Sequence, residues 1–318
     1  MSWPSSSKSR KGSSVHGQQH ACKSNFKGGT SITASQRIQA HPRPFTKTCL
    51  YYHFAFAAAC ATARGAAHFK EIRGFSMARS YTIVFFDLDG TLLPMDTDVF
   101  MKRYFKALGA FAAENGLGSD MCLGAVMAGV KAMAKSDGSA TNHDVFWKAF
   151  TKATGLDAEE MKTLFSRFYE GQFSQVGEGV QANPEAARAV ATLKGKGYRV
   201  AVTTMPMFPL AAVHERIRWA GLDPDDFEFA TDYETCYAVK PMPRYYEDCL
   251  ARAGVAADEV LMVGNHNRED GLATKVGCDI YFVTDHLIES EEGLDVSECK
   301  HGSMVEFADW CEALPSLK

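Results

Sequence analysis

The sequence predicts an α/β fold with a parallel β-sheet and an inserted all-helical module. From Tyr81 onward, short β-branched or aromatic runs alternate with amphipathic stretches, which is typical of parallel strands joined by crossover helices. Between residues 96 and 177 this alternation stops, and four helical stretches follow one another without a strand. The chain has 318 residues, 46% of them hydrophobic, which is enough for two hydrophobic cores.

The first 76 residues differ in composition from the remainder. Residues 1–70 contain ten Lys or Arg and no Asp or Glu, whereas residues 77–318 contain 23 Lys or Arg and 37 Asp or Glu, a net charge of −14. We interpret residues 1–76 as a disordered extension or as sequence upstream of a true start at Met77. An organellar transit peptide and a secretory region are the competing hypotheses. The apolar run 50–60 is too short to span a bilayer, so no membrane anchor is predicted.

Charge and cysteine usage narrow the functional classes. A formal net charge of −4 gives no electrostatic case for nucleic acid or an anionic membrane as the partner. The nine cysteines occur singly, without a Cys-x-x-Cys pair, which indicates reduced thiols in a cytosol-like compartment rather than a zinc or redox site. A cytoplasmic protein is therefore expected, and its oligomeric state is left open.

The predicted elements follow in chain order. Five stretches have strand character, at 82–86, 199–203, 227–231, 259–263 and 279–283. The helices of the insertion are expected near 97–115, 120–136, 142–154 and 157–172. The insertion at 96–177 therefore divides the core into 77–95 and 178–318.

Three crossover helices have clear start and stop signals. Each begins at a proline, whose fixed φ and missing N–H suit the first helical turn, and each ends before a glycine. They are predicted at 184–196, 209–220 and 243–253.

Polar residues follow four of the predicted strands. Ligands of open α/β sheets bind beyond the carboxyl ends of the strands, so these residues are the candidate site. In strand order they are Asp87 with Asp89, Thr204, Lys240, and His266 with Asp270.

The segments that carry these residues read DLDGTLLP, VAVTTMP, VKPMPRYY and VGNHNRED. In this order they resemble the four motifs of haloacid dehalogenase (HAD) superfamily phosphohydrolases, and the resemblance covers roughly residues 77–318. It implies a Rossmann-like HAD core with the all-α insertion as a cap domain. It also implies a metal-dependent phosphatase that acts on a small phosphorylated metabolite.

The resemblance assigns a role to each polar residue. Asp87 is expected to be the nucleophile that forms an aspartyl-phosphate, and Asp89 to protonate the leaving oxygen and then activate water. Thr204 is expected to bind a phosphoryl oxygen, with Thr203 as the alternative one residue earlier. Lys240 would neutralise the phosphate and hold Asp87 ionised.

The expected cofactor is a divalent metal ion. The superfamily pattern assigns Mg²⁺ to the Asp87 side chain and the Asp89 backbone carbonyl. A third ligand is usually Asp, but here the ligand position is interpreted as His266, and imidazole suits Mn²⁺ or another transition metal better than Mg²⁺. Asp270 supplies a further carboxylate, and Glu269 is an additional candidate.

Two other functions compete with the phosphatase hypothesis. A catalytically weakened HAD module could bind a phosphorylated ligand or a protein partner, and His266 is the feature that supports it. A dehalogenase is disfavoured because the superfamily's dehalogenases generally lack the second acid of the first motif, which is present here as Asp89.

Overall fold

A computed structural model describes residues 80–318, so the predictions for residues 1–76 lie outside the described part. The chain forms a five-stranded sheet in the order β2-β1-β3-β4-β5, with all neighbouring strands parallel. The predicted α/β fold with a parallel sheet is therefore confirmed. The strands are β1 (Ile83–Phe86), β2 (Arg199–Val202), β3 (Val260–Gly264), β4 (Asp279–Val283) and β5 (Lys300–Gly302).

Strand β1 lies between β2 and β3 and is fully buried. Its alternate side chains enter two different hydrophobic clusters, with Val84 and Phe86 in one and Ile83 and Phe85 in the other. Burial on both faces explains why this strand is a continuous apolar run rather than an alternating one. The residues that follow β1 therefore start from a rigid central position.

The insertion after β1 is helical throughout. Three of its helices begin at a residue whose side chain accepts a hydrogen bond from a backbone N–H of the first turn, namely Asp96, Thr141 and Asp157. A 3₁₀ segment, Gln172–Gly177, follows the last helix. The helices are α1 (Thr97–Glu114), α2 (Ser119–Ala134), α3 (Asn142–Thr154) and α4 (Ala158–Glu170).

The crossover helices form where their start and stop signals predict them. They are α5 (Pro184–Gly195), α6 (Leu210–Trp219) and α7 (Pro243–Ala253), and a further helix, α8 (Met304–Ala313), packs against α5. None of the helices within residues 80–318 is long and apolar enough to cross a membrane.

The predicted strand at 227–231 is not a strand of the sheet. Its residues run beside β2 and share three backbone hydrogen bonds with it, but the pairing of Ala230 with Val202 is isolated and does not extend into a ladder. A 3₁₀ turn at Pro224–Asp226 comes immediately before it, and the Asp232 side chain caps a turn immediately after it. These two turns bound the segment on both sides, so its pairing with β2 does not extend beyond it.

Candidate active site

Asp87 stands at the carboxyl end of β1, in the middle of the sheet. Its backbone N–H donates to the Val263 carbonyl at 2.8 Å, which continues the strand pairing into the first loop residue. The loop that follows is anchored by the buried side chains of Leu88, Leu92 and Leu93. Packing therefore fixes the backbone that carries Asp87.

Gly90 makes the tight turn in this loop. Its φ is +81°, in the left-handed region, and a Cβ at this position would lie 2.2 Å from Asn265 Nδ2. We expect Gly90→Ala to lower the free energy of unfolding by about 2–4 kcal/mol, from backbone strain plus the clash. Urea denaturation followed by circular dichroism measures this loss.

Gly116 provides the matched control for that substitution. Its φ is +79°, but a Cβ there would meet no atom within 4 Å. Gly116→Ala is expected to cost only the strain, about 1–2 kcal/mol. Equal losses at the two glycines would show that the contact with Asn265 does not constrain residue 90.

Lys240 joins two buried carboxylates. Its Nζ lies 2.9 Å from Asp87 Oδ1 and 2.7 Å from Asp270 Oδ1, and its side chain is 1% exposed. Burial raises the pKa of Asp87; the Lys240 charge opposes this, and the Asp270 charge adds to it. Burial also works against the charged form of Lys240, but the two carboxylates hold its pKa well above the usual range. The three groups form one ion-paired network at the strand ends.

The two threonines after β2 have different environments. The Thr203 hydroxyl lies 3.5 Å from the Phe86 carbonyl and 3.5 Å from the sulfur of Met262, so it faces the sheet. The Thr204 hydroxyl is buried and has no hydrogen-bond partner among the residues that the structure describes. Such a buried hydroxyl is costly unless a ligand satisfies it, which makes Thr204 the better candidate for contacting substrate.

The amide of Asn265 lies beside Asp87. The Thr91 hydroxyl is 3.3 Å from Asn265 Oδ1 and 3.4 Å from Asp87 Oδ2, so it is within hydrogen-bond distance of both oxygens. Asn265 Nδ2 donates to the His286 carbonyl at 2.7 Å, which fixes the amide with Oδ1 toward Thr91. Asn265 was not among the predicted site residues. Its position directly after the end of β3, one residue before His266, was the available signal.

The His266 ring faces the backbone of its own turn. Its Nδ1 accepts from the backbone N–H groups of Arg268 and Glu269, at 3.2 and 3.4 Å. The same turn is held by the His266 backbone N–H, which donates to Asp270 Oδ2 at 2.9 Å.

Glu269 lies directly before Asp270 in the same turn. Burial raises its pKa to about 8, and the neighbouring Asp270 charge adds to the effect. Within residues 80–318, no group of three or more His, Cys, Asp or Glu side chains is arranged to hold a metal ion.

Asp89 pairs with a residue that the sequence interpretation missed. Arg216, on α6, is 1% exposed, and its Nη1 donates to Asp89 Oδ2. Burial raises the pKa of Asp89, and the Arg216 charge opposes that shift. The sequence feature that could have revealed Arg216 is its place on the same face of α6 as Val213 and Ile217, which are both completely buried.

The helical insertion contacts the core around this pair. Phe100 of α1 packs against Phe208, with ring centroids 5.9 Å apart, and the Arg216 guanidinium lies 4.7 Å from the Phe208 ring centroid. A cavity of about 30 Å³ lies on the insertion side of Phe208 and is lined mainly by aromatic side chains. The buried Asn142 side chain donates to the Pro206 and Ala238 carbonyls, both at 3.1 Å. Its hydrogen bonds tie the insertion to the loops that carry Thr204 and Lys240.

The chain resembles known proteins over most of its described length. Among solved structures it is similar to an L-2-haloacid dehalogenase from Xanthobacter autotrophicus, at 16% identity with a TM-score of 0.45, over 74% of this chain and 99% of that one. A HAD phosphatase from Thermococcus onnurineus is similar at 19% identity with a TM-score of 0.46, over 72% of this chain and 97% of that one. Among curated proteins, a glyceraldehyde 3-phosphate phosphatase from Methanothermobacter thermautotrophicus is 28% identical over 225 residues, which are 67% of this chain and 93% of the relative.

The family model described as haloacid dehalogenase-like hydrolase matches residues 81–275, which is more than half of the chain. The match includes all four predicted motifs and the helical insertion. The chain therefore belongs to the haloacid dehalogenase-like hydrolases.

Proposed function

We propose that this hydrolase is a metal-dependent phosphomonoesterase that forms an aspartyl-phosphate on Asp87 and acts on a small phosphorylated metabolite. The observation that carries the proposal is the buried network of Asp87, Lys240 and Asp270, at the same edge of the sheet as the buried Thr204 hydroxyl. The relative named glyceraldehyde 3-phosphate phosphatase supports a phosphate ester as the substrate class. In this proposal the insertion at 96–177 is a cap domain over the core.

Asp87 has one oxygen available for attack. Its Oδ1 is bound by Lys240 at 2.9 Å, whereas its Oδ2 lies 3.4 Å from the Thr91 hydroxyl, a longer and weaker contact. Attack by Oδ2 on phosphorus would form the aspartyl-phosphate while Lys240 neutralises charge that develops nearby. The Thr204 hydroxyl would donate to a phosphoryl oxygen, which satisfies the group that lacks a partner among the described residues.

Asp89 would act as the general acid and then as the general base. It lies two residues after Asp87 in the same loop, so a phosphoryl group on Asp87 would stand close to both carboxyl groups. In the first step it would protonate the leaving alcohol oxygen, and in the second it would take a proton from the attacking water.

The donors around Asp87 fit a hard divalent cation. We assign four oxygen ligands to it: the carboxylates of Asp87 and Asp270, the amide oxygen of Asn265 and, as the superfamily pattern implies, the backbone carbonyl of Asp89. A bound Mg²⁺ or Mn²⁺ would offset the negative charge of the phosphate as it approaches Asp87. One charged ligand of the usual set is replaced by the neutral Asn265, so we propose a weakened affinity for the metal rather than its loss.

Asn265→Asp is expected to raise the affinity of the active enzyme for Mg²⁺. An added carboxylate beside Asp87 should lower the Mg²⁺ concentration for half-maximal activity by about tenfold. Metal titrations of the purified full chain measure this shift. His266→Asp serves as the comparison and should leave the half-maximal Mg²⁺ concentration unchanged, since the His266 ring faces its own turn. The reverse ranking of the two variants would place His266 at the metal and overturn this assignment.

Steady-state assays of the full chain test the proposed function. We expect turnover of p-nitrophenyl phosphate, and faster turnover of at least one small phosphate ester, including triose phosphates, in the presence of Mg²⁺, Mn²⁺ or Co²⁺. The alternative is a weakened module that binds a phosphorylated ligand or a protein partner. No turnover with any metal, together with measurable binding of a phosphate ester by calorimetry, would favour that alternative.

A further inference from the structure

Arg216 is a buried cation to which the reaction outlined above gives no role. Its Nε lies 3.3 Å from the Ala212 carbonyl one turn earlier on α6, and its Nη1 donates to Asp89 Oδ2. Its Nη2 is buried and has no acceptor among the described residues. The guanidinium is thus fixed by its own helix and aimed at a single carboxylate.

Aromatic rings hold the guanidinium in this position. The Arg216 Cζ lies 4.7 Å from the Phe208 ring centroid and 6.0 Å from that of Phe100. A buried ion pair gives little stability compared with apolar residues of similar volume, because both charges lose their hydration. Stability alone therefore does not explain an arginine at this buried position on α6.

The pair leaves the two oxygens of Asp89 in different situations. Oδ2 is bound by Arg216, whereas Oδ1 is buried and has no partner within residues 80–318. A carboxylic acid that donates through one oxygen can accept from Arg216 through the other, so the ion pair fixes which oxygen carries the transferable proton.

We propose that Arg216 is the positioning residue for Asp89, holding Oδ2 so that Oδ1 faces the leaving oxygen of the substrate. This inference rests on the proposed phosphatase reaction. In the first step the bond from phosphorus to the ester oxygen breaks, a bond from phosphorus to Asp87 Oδ2 forms, and the Asp89 Oδ1 proton moves to the departing alcohol. In the second step water gives a proton back to Asp89 Oδ1 as its oxygen bonds to phosphorus, the aspartyl–phosphate bond breaks, and inorganic phosphate leaves.

The dependence of kcat/KM on the leaving group tests this role. Alkyl phosphates need the proton from Asp89, whereas p-nitrophenolate departs without one. In Arg216→Met we expect kcat/KM for alkyl phosphates to fall by about 100-fold, and that for p-nitrophenyl phosphate by less than about fivefold. Arg216→Lys, which keeps the charge without the planar fork, should lie between wild type and Arg216→Met for alkyl esters. A uniform loss across the series would show a merely structural role and overturn the inference.

A double-mutant cycle and a surface control complete the experiment. Once Asp89 is replaced by Asn there is no proton to position, so adding Arg216→Met should cause no further loss with alkyl esters. Additive losses would overturn the inference.

Arg218→Met makes the same chemical change two residues away on α6, where the side chain is 57% exposed, and should leave all kcat/KM values unchanged. If the wild-type chain hydrolyses no ester, the proposed function and this inference are overturned together. If the wild-type chain is active but the loss of kcat/KM in Arg216→Met does not depend on the leaving group, only this inference is overturned.

Discussion

Asp87→Asn is expected to abolish turnover of every phosphate ester that the wild-type chain hydrolyses. The amide oxygen of Asn is a poor nucleophile, so kcat should fall by about 10⁴-fold or more. The variant should also fail to gain the mass of a phosphoryl group when it is quenched in acid during turnover. Intact-protein mass spectrometry with a steady-state assay measures both effects.

Two comparisons make that result specific. Asp98→Asn, at an exposed position in the first turn of α1, removes the same charge from the surface and should keep wild-type kcat. Asp89→Asn keeps the nucleophile, so it should still acquire a phosphoryl group from p-nitrophenyl phosphate and lose it slowly. If Asp87→Asn retained kcat within about tenfold of wild type, an aspartyl-phosphate at this residue would be ruled out as the main route.

The regular elements of the fold were predictable because local and tertiary signals agree. Helices α5, α6 and α7 start at prolines or directly after them and end before glycines, and β1 is an uninterrupted apolar run. Strand β5 has no comparable signal, since Lys300 and His301 are exposed and only three residues pair with β4. The segment 227–231 has the composition of a strand, but the turns on both sides of it decide its structure.

Some residues of the candidate site were also predictable from the sequence, and others were not. Asp87 and Asp270 follow predicted strands that form β1 and β3, which are neighbours in the sheet, so their meeting at one edge was predictable. Lys240 follows the segment 227–231, which is not a strand of the sheet, so its place beside them depends on the loop that carries it. Arg216 reaches the site from the interior of a helix, and only the packing of α6 against Phe100 and Phe208 reveals its direction. A sequence pattern indicates which residues follow a strand, but it does not indicate where a long side chain on a packed helix ends.

Lys240→Met is expected to be the most destabilising of the site substitutions. It keeps the side-chain length but leaves the buried Asp87 and Asp270 carboxylates facing each other without a cation. Removing one partner of a buried ion pair typically costs about 3–5 kcal/mol of unfolding free energy, and two stranded carboxylates place this variant at the upper end. Chemical denaturation at neutral pH, in the absence of added metal, measures the loss.

Lys194→Met is the matched control, because Lys194 pairs with Asp226 where both side chains are more than a third exposed. Water can solvate the partner that remains, so this variant should lose less than about 1 kcal/mol. Asp270→Asn added to Lys240→Met removes one stranded charge and should recover part of the stability, which a loss of packing at residue 240 would not allow. If Lys240→Met and Lys194→Met were equally stable, the Asp87 and Asp270 carboxylates would not depend on Lys240 for stability. Another group would then have to neutralise their charge when a phosphate binds.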